Sequence, residues 1–161
     1  MREILFRGKT KNGEWKIGDL IIEWYGETPY IHWFEYSSLA LSREEKVIPE
    51  TVGQFTGLTD KNGKKIFEGD IVKFFGMAGK VCFEQGCFGI GVQEIIDWKK
   101  IKKQILPLTG CDNKPYFCEN DNFVSFWELI WNFNGEDEQC DVCEVIGNIH
   151  DNPELLEKDN A

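Results

Sequence analysis

Six cysteines are the residues of this chain best suited to chemistry: Cys82, Cys87, Cys111, Cys118, Cys140 and Cys143. Cys140 and Cys143 have the spacing of metal ligands or of a redox dithiol, and Cys111 with Cys118 would complete a four-thiolate zinc site. The gap between Cys111 and Cys118 is longer than the roughly two to four residues usual in zinc knuckles. We therefore expect buried or incidental thiols and no cofactor, with zinc and redox chemistry as the alternatives.

Histidine, the commonest general base at neutral pH, occurs only as His32 and His150. His32 and Glu35 fall in a predicted strand, where an i, i+3 pair points to opposite faces, so we expect no shared proton or metal. Asp151 and Asn152 follow His150, and helix capping explains both of them. A serine or cysteine nucleophile that folding brings to a histidine is the open alternative.

Glycines at residues 86–91 do not indicate nucleotide chemistry. Their Gly-x-x-Gly-x-Gly order is not the dinucleotide fingerprint, and no βαβ pattern surrounds them. The chain contains no Walker sequence either. We expect a glycine-rich hairpin or bulge here, and from all these motifs we predict a protein that is not an enzyme.

Charge is distributed unevenly along the chain. The formal net charge is −10, yet residues 1–103 hold 16 basic and 15 acidic side chains, whereas residues 104–161 hold 2 basic and 13 acidic ones. The C-terminal third thus carries a net charge of −11, which disfavours nucleic acid and membrane headgroups and favours basic partners or solubility. A lysine cluster precedes it, predicted as a solvated helix face or as counter-charge: Lys99, Lys100, Lys102 and Lys103.

Strands must position most of these residues. Asn12-Gly13 predicts a hairpin with a type I′ turn, in which both central residues have positive φ, and Asn62-Gly63 repeats the pattern. A short strand and a Gly-Asp step follow each pair. Further runs of apolar and β-branched residues extend the pattern to about residue 90. We predict a mainly β chain with minor α, whose short antiparallel strands curl into a small SH3-like barrel.

A first helix is predicted by apolar residues near the lysine cluster. Ile95, Trp98, Ile101 and Ile105 recur at i, i+3, i+6 and i+10, and Pro107 is expected to end the helix.

A second stripe fits another helical face, through Phe123, Phe126, Trp127, Ile130 and Trp131. Ser125 and Glu128 have capping-box spacing, although this cap would start the helix inside the stripe, and a strand over 123–126 is the alternative.

A last strand is predicted over residues 144–149. The expected segments are a β-rich region at 1–90, a helical, aromatic and acidic insertion at 91–144, and a strand with a short helix at 145–161.

Three separated segments resemble the YopX family of phage and prophage proteins. They are Arg2-Glu3-Ile4-Leu5-Phe6-Arg7-Gly8, residues 47–72 with the core Gly53-Gln54-Phe55-Thr56-Gly57-Leu58-Thr59-Asp60, and Val145-Ile146-Gly147-Asn148-Ile149-His150-Asp151-Asn152-Pro153-Glu154-Leu155-Leu156. They agree with the family in order and bracket nearly the whole chain. The resemblance implies a small β-rich phage protein in the bacterial cytoplasm, and it brings no catalytic residues.

Function is expected to lie in surface contacts. The start of the chain lacks a secretory signal, and no apolar run is long enough to span a bilayer, so we expect a cytoplasmic protein. We predict a non-catalytic module that binds a phage or host protein, or a second copy of itself. The alternatives are an SH3-like nucleic-acid-binding module and an acidic DNA mimic that inhibits a host DNA-binding protein. The candidate contact residues are Trp98, Lys99, Lys103, Trp127, Trp131, Glu136, Asp137 and Glu138.

Overall fold

A computed structural model describes residues 3–26, 28–36, 40–109, 116–132 and 138–157. The chain is mainly β, with 49% strand and 15% helix, which confirms the predicted class. It forms two compact units, Met1–Gly57 and Leu58–Ala161. These units follow packing, whereas the segments proposed at 1–90, 91–144 and 145–161 follow changes in composition.

Antiparallel strands make up the first unit. They are β1 Phe6–Lys9, β2 Trp15–Ile22, β3 Pro29–Tyr36, β4 Ala40–Lys46 and the start of β5 Gly53–Asp60, with a 3-10 turn at Pro49–Thr51. Their order in the sheet is β5-β1-β2-β3-β4. The buried apolar side chains described here are Ile31, Val47 and Phe55. Gly8 is required because a Cβ there would lie 2.6 Å from Cγ2 of Val47.

In the second unit, a five-stranded antiparallel sheet runs in the order β10-β9-β8-β7-β12. Its strands are β7 Asp70–Phe74, β8 Met77–Glu84, β9 Cys87–Gly91, β10 Phe123–Ser125 and β12 Glu144–Asn148. The helices are α1 Trp98–Thr109 and α2 Phe126–Asn132, with a 3-10 turn at Pro153–Leu155. β6 Lys65–Phe67 pairs with β5, and β11 Gln139–Cys140 runs parallel to the end of β5. Buried apolar side chains from both helices and from the sheet pack into one cluster, whose members run from Ile66 to Val145 along the chain.

Neither sheet closes into a barrel over the described ranges. The predicted curled barrel is therefore replaced by open sheets, and the C-terminal third is only partly helical. Its strands β10, β11 and β12 pair with β9, β5 and β7. Backbone hydrogen bonds to partners distant in the chain decide this arrangement, and periodicity within a segment does not report them.

The Asn-Gly hairpins use a different turn from the predicted one. Gly13 and Gly63 have positive φ, but Asn12 and Asn62 do not. The Gly13 N–H donates to the carbonyl of Thr10, so the loop has three residues with glycine in the left-handed position. Type I′ geometry, with two successive positive φ angles, occurs instead at 75–76 and 85–86, where the first residues are Phe75 and Gln85.

The first helix is shifted along the chain relative to the prediction. Asp97 caps it by accepting the Lys100 N–H at 3.0 Å, so Ile95 lies before the helix and is exposed. The helix continues past Pro107 to Thr109. Proline lacks the N–H donor and its ring crowds the carbonyl four residues earlier, and the helix ends two residues after Pro107.

The second stripe contains both predicted elements in succession, and Phe123 belongs to the strand rather than to the helical face. Residues 123–125 form a strand, and the capping box starts α2 directly after it. The Glu128 N–H donates to Ser125 Oγ at 3.2 Å, and the Ser125 N–H donates to Glu128 Oε2 at 2.9 Å. No described helix has the length and apolar character needed to cross a lipid bilayer.

Candidate functional site

Two buried polar side chains of helix α2, Glu128 and Asn132, form hydrogen bonds with the backbone of Tyr116 and Cys118. Besides Ser125, Glu128 accepts the Cys118 N–H at 2.6 Å. Asn132 holds both backbone groups of Tyr116: its Nδ2 donates to the carbonyl at 2.6 Å, and its Oδ1 accepts the N–H at 2.8 Å. These bonds fix residues 116–118 alongside the helix.

The outer side of this assembly is aromatic. Trp127 and Trp131, four residues apart on α2, stack with centroids 5.5 Å apart and an interplanar angle of 14°. Tyr116 meets Trp127 edge-on at 6.5 Å. The exposed fractions are 58% for Tyr116, 57% for Trp127 and 65% for Trp131. We call these three side chains the aromatic patch, and sequence reasoning named its two tryptophans but not Tyr116.

Residues 116–132, which carry the aromatic patch, include three acidic residues and no lysine or arginine. Glu128 is buried, while Glu119 and Asp121 are exposed, and Glu119 pairs with Lys102 of α1. Lys99 and Lys103 are exposed on α1.

The remaining contact candidates lie in several places. Trp98 is buried: its Nε1 donates to the carbonyl of Asn120 at 2.8 Å, and its ring packs on Phe117 at 4.9 Å. Trp98 therefore offers no contact surface. Glu138 is exposed, at the start of the turn into β11. Glu136 and Asp137 lie outside the described residues.

The four proposed zinc ligands do not form one cluster in the described part of the chain. Cys118 is exposed beside Glu128, whereas Cys140 and Cys143 are buried with their sulfur atoms 2.8 Å apart. Cys111 lies outside the described residues. Over those residues, no three histidine, cysteine or acidic side chains come together as metal ligands.

Thiol chemistry is disfavoured at several cysteines, because a nucleophile needs a lowered pKa. Burial, reinforced by Glu84, raises the pKa of Cys82 to about 11. Burial also raises the pKa of Cys87, and the Glu128 charge raises that of Cys118. The hydrogen bond with Cys140, together with burial, raises the pKa of Cys143. All four thiols are therefore protonated at neutral pH.

A serine, a histidine and an aspartate do meet on the sheet of the first unit, which the sequence alone does not predict. His32 Nε2 lies 2.8 Å from Ser42 Oγ, and His32 Nδ1 lies 3.6 Å from Asp19 Oδ2. The second distance is too long for the hydrogen bond that orients a catalytic imidazole. Asp19 is also 69% exposed. Glu35, on the same strand as His32, pairs with Arg43 at 3.0 Å.

Two shallow grooves lie side by side in the second unit, of about 230 Å³ and 260 Å³. They share Val92, Gln93 and Leu156. Both are lined by residues between 77 and 157, and neither lining includes Asp19, His32 or Ser42.

A second exposed apolar surface was not foreseen. Ile21 pairs with Tyr30, so Ile17, Ile21, Phe34 and Tyr36 share one face of the β2–β3 ladder, and all four are exposed. Trp24, in the β2–β3 turn, is 91% exposed. Alternation of apolar and polar residues along β2 and β3 could have indicated which face is exposed. Both faces of these strands carry apolar residues, however, so the pattern does not distinguish the covered face from the exposed one.

Comparison with known proteins gives a family and a structural likeness. The family profile described as YopX protein matches residues 6–157. No curated protein matches the chain. Among solved structures, protein EF1440 from Enterococcus faecalis is similar at 22% identity, over 97% of this chain and 99% of that chain, with a TM-score of 0.45.

Proposed function

This chain belongs to the YopX protein family, and from that membership we propose a non-catalytic phage or prophage accessory protein that acts in the bacterial cytoplasm. The aromatic patch binds a basic surface of a phage or host protein. The family resemblance supports the phage setting. The stacked, exposed tryptophans of α2 support binding, and they are the single observation that carries the proposal.

Rigidity makes the aromatic patch suited to binding. Glu128 and Asn132 hold the helix to the backbone of residues 116–118, so Tyr116 and Trp127 are already placed against each other. A preorganised surface loses little side-chain entropy when it binds. Tryptophan and tyrosine are also the residues most enriched among those that dominate binding energy.

Charge selects the class of partner. No basic residue lies between 116 and 132, and residues 104–161 carry a net charge of −11. Such a surface attracts lysine- and arginine-bearing proteins and repels phosphate backbones. Arginine in particular stacks on tryptophan faces. We therefore commit to a basic protein segment as the occupant.

The test compares Trp127→Ala/Trp131→Ala with the matched control Trp24→Ala, which removes an exposed tryptophan of the first unit. A partner captured by the wild-type chain from lysogenic cells is purified, and its Kd is measured for each variant at low and moderate salt. We expect the double variant to weaken binding by about thirtyfold, the equivalent of the 2 kcal/mol typical of a hot spot, while Trp24→Ala binds normally. Binding also weakens as salt rises.

Equal affinity of the wild type and the double variant would refute the role of the aromatic patch. A captured ligand that proves to be nucleic acid would refute the partner class. Competition with DNA for the captured protein, lost in Glu136→Gln/Asp137→Asn/Glu138→Gln, would identify the partner as a DNA-binding protein and the chain as its acidic mimic.

A further inference from the structure

The Cys140–Cys143 turn, residues 140–143, has the backbone geometry of a disulfide loop. The Cys143 N–H donates to the Cys140 carbonyl at 3.1 Å. A turn of this kind keeps its first and last Cα atoms within about 7 Å, which overlaps the roughly 4.4 to 6.8 Å that a disulfide spans. Both cysteines are free thiols, and their side chains point at each other.

The β5–β6 hairpin holds this turn in place. Cys140 pairs with Asp60 in the parallel β11–β5 ladder. The Lys61 N–H donates to the Cys143 carbonyl at 3.0 Å, and the Val145 N–H donates to Asp60 Oδ2 at 2.9 Å. With the backbone fixed on both sides and both side chains at most 2% exposed, the two sulfurs are kept together.

A metal is a poorer occupant than a bond between the sulfurs. Asp60, whose charge acts on Cys143, already accepts the N–H groups of Asn62, Lys64 and Val145. Among the residues that the structure describes, no third ligand joins the two thiols. A closed zinc site needs four ligands.

We propose that Cys140 and Cys143 are a redox site. A low-molecular-weight disulfide such as oxidised glutathione oxidises them to a reversible intramolecular disulfide by thiol–disulfide exchange. The exchange takes place when the turn opens, because the folded turn buries both thiols. One exposed cysteine then loses its proton and attacks a glutathione sulfur, which breaks the glutathione disulfide and releases one glutathione. The second cysteine then attacks the mixed disulfide and releases the other glutathione. The protein loses two protons and two electrons, and one oxidised glutathione becomes two reduced molecules.

The disulfide changes the local stability of the hairpin contact. It closes a loop of four residues, which restricts the opened state of the turn. The chain-entropy relation then predicts that the opened state is about twentyfold less populated, and hydrogen exchange through it is slower by the same factor. The amides that report this opening are those of Lys61 and Val145, because both hydrogen bonds cross the turn.

The test places the full-length protein in glutathione buffers of increasing oxidised fraction, then quenches with acid, alkylates the free thiols and maps the peptides by mass spectrometry. We expect a Cys140–Cys143 linkage, while Cys118 carries the alkyl group or glutathione. Cys140→Ser and Cys143→Ser should each leave the other cysteine unlinked. Hydrogen exchange of the oxidised wild type should be about twentyfold slower at Lys61 and Val145 than in the reduced wild type.

Several results would overturn the redox site. One is alkylation of both cysteines in the most oxidising buffer, when the same buffer with denaturant does link them. Another is linkage of either cysteine to Cys82, Cys87 or Cys118. A stoichiometric metal that blocks their alkylation in freshly purified protein would assign the pair to metal binding instead. Because none of these readouts involves the aromatic patch, they leave the proposed binding function untouched.

Discussion

Two buried carboxylates organise the second unit at the scale of single residues. Glu128 joins the start of α2 to Cys118, and Asp60 joins the β5–β6 turn to β12. Each accepts at least three hydrogen bonds. A buried charge is tolerated only with such partners. Sequence spacing indicated the contact of Glu128 with Ser125, but it could not indicate the contact with Cys118.

Glu128→Gln should lower the free energy of unfolding by about 1 to 3 kcal/mol, because the new amide NH₂ faces a backbone donor and leaves it unpaired. Urea unfolding measures the change. The control is Glu119→Gln, which removes the same charge from an exposed pair with Lys102 and should change stability by under about 1 kcal/mol. Equal effects of the two substitutions would contradict the buried role of Glu128.

Asp60 predicts a pH dependence of stability. Burial alone would raise its pKa, but the hydrogen bonds from Val145, Lys64 and Asn62 outweigh it, and the pKa is lowered from the ordinary value of 3.8. A lowered folded-state pKa stabilises the fold above the unfolded-state value, and this contribution disappears as pH falls through the folded-state value.

Asp60→Asn should therefore be less stable than the wild type at pH 7, and the difference should shrink as pH falls below about 4. Urea unfolding across this range measures it. Asp141→Asn, at an exposed position, makes the same charge change as a control. A difference between wild type and Asp60→Asn that stays constant down to acid pH would rule out this linkage.

Turns show the limits of local sequence at the scale of elements. Asn12-Gly13 and Asn62-Gly63 correctly indicate hairpins, but the loop has three residues because Asn12 and Asn62 keep negative φ. Type I′ turns occur where the sequence has Phe75-Gly76 and Gln85-Gly86. Pairing of the flanking strands, Phe74 with Met77 and Glu84 with Cys87, imposes these two-residue loops.

Gln85 has a φ of 53°, a region that asparagine tolerates better than glutamine. Gln85→Asn should raise the free energy of unfolding by about 0.5 kcal/mol or more. The control is Gln93→Asn, the same change at an exposed position with negative φ, which should give no gain. A thermal or urea melt that shows equal stability for both variants would contradict strain at Gln85.

Burial distinguishes the two units at the scale of the whole molecule. The continuous apolar cluster of the second unit includes fully buried side chains of β7, β8 and β9, such as Val72, Val81 and Ile90. In the first unit, the only buried residues of β2 and β3, which the structure describes in full, are Gly18, Pro29 and Ile31. Local opening costs less where few apolar contacts are lost.

Hydrogen exchange should therefore be slowest in β7 and β8 and at least about tenfold faster in β2 and β3. Mass spectrometry of the intact chain after timed labelling, followed by peptide mapping, resolves the two regions. Equal protection of both regions would mean that the first unit is stabilised by something other than its described core.

The amino-acid sequence by itself determined the mainly β class, the family, both hairpin positions, the capping box of α2 and the uneven distribution of charge. All of these depend on residues close together in the chain or on composition, so one dimension is enough to specify them. Tertiary structure alone decided that the sheets stay open, that Trp98 is buried while Trp127 and Trp131 are exposed, and that Tyr116 completes the aromatic patch. It also brought Cys140 and Cys143 to Asp60. Long-range strand pairing and burial set these features, because a periodic stripe has the same pattern whether its aromatic residues face the core or the solvent.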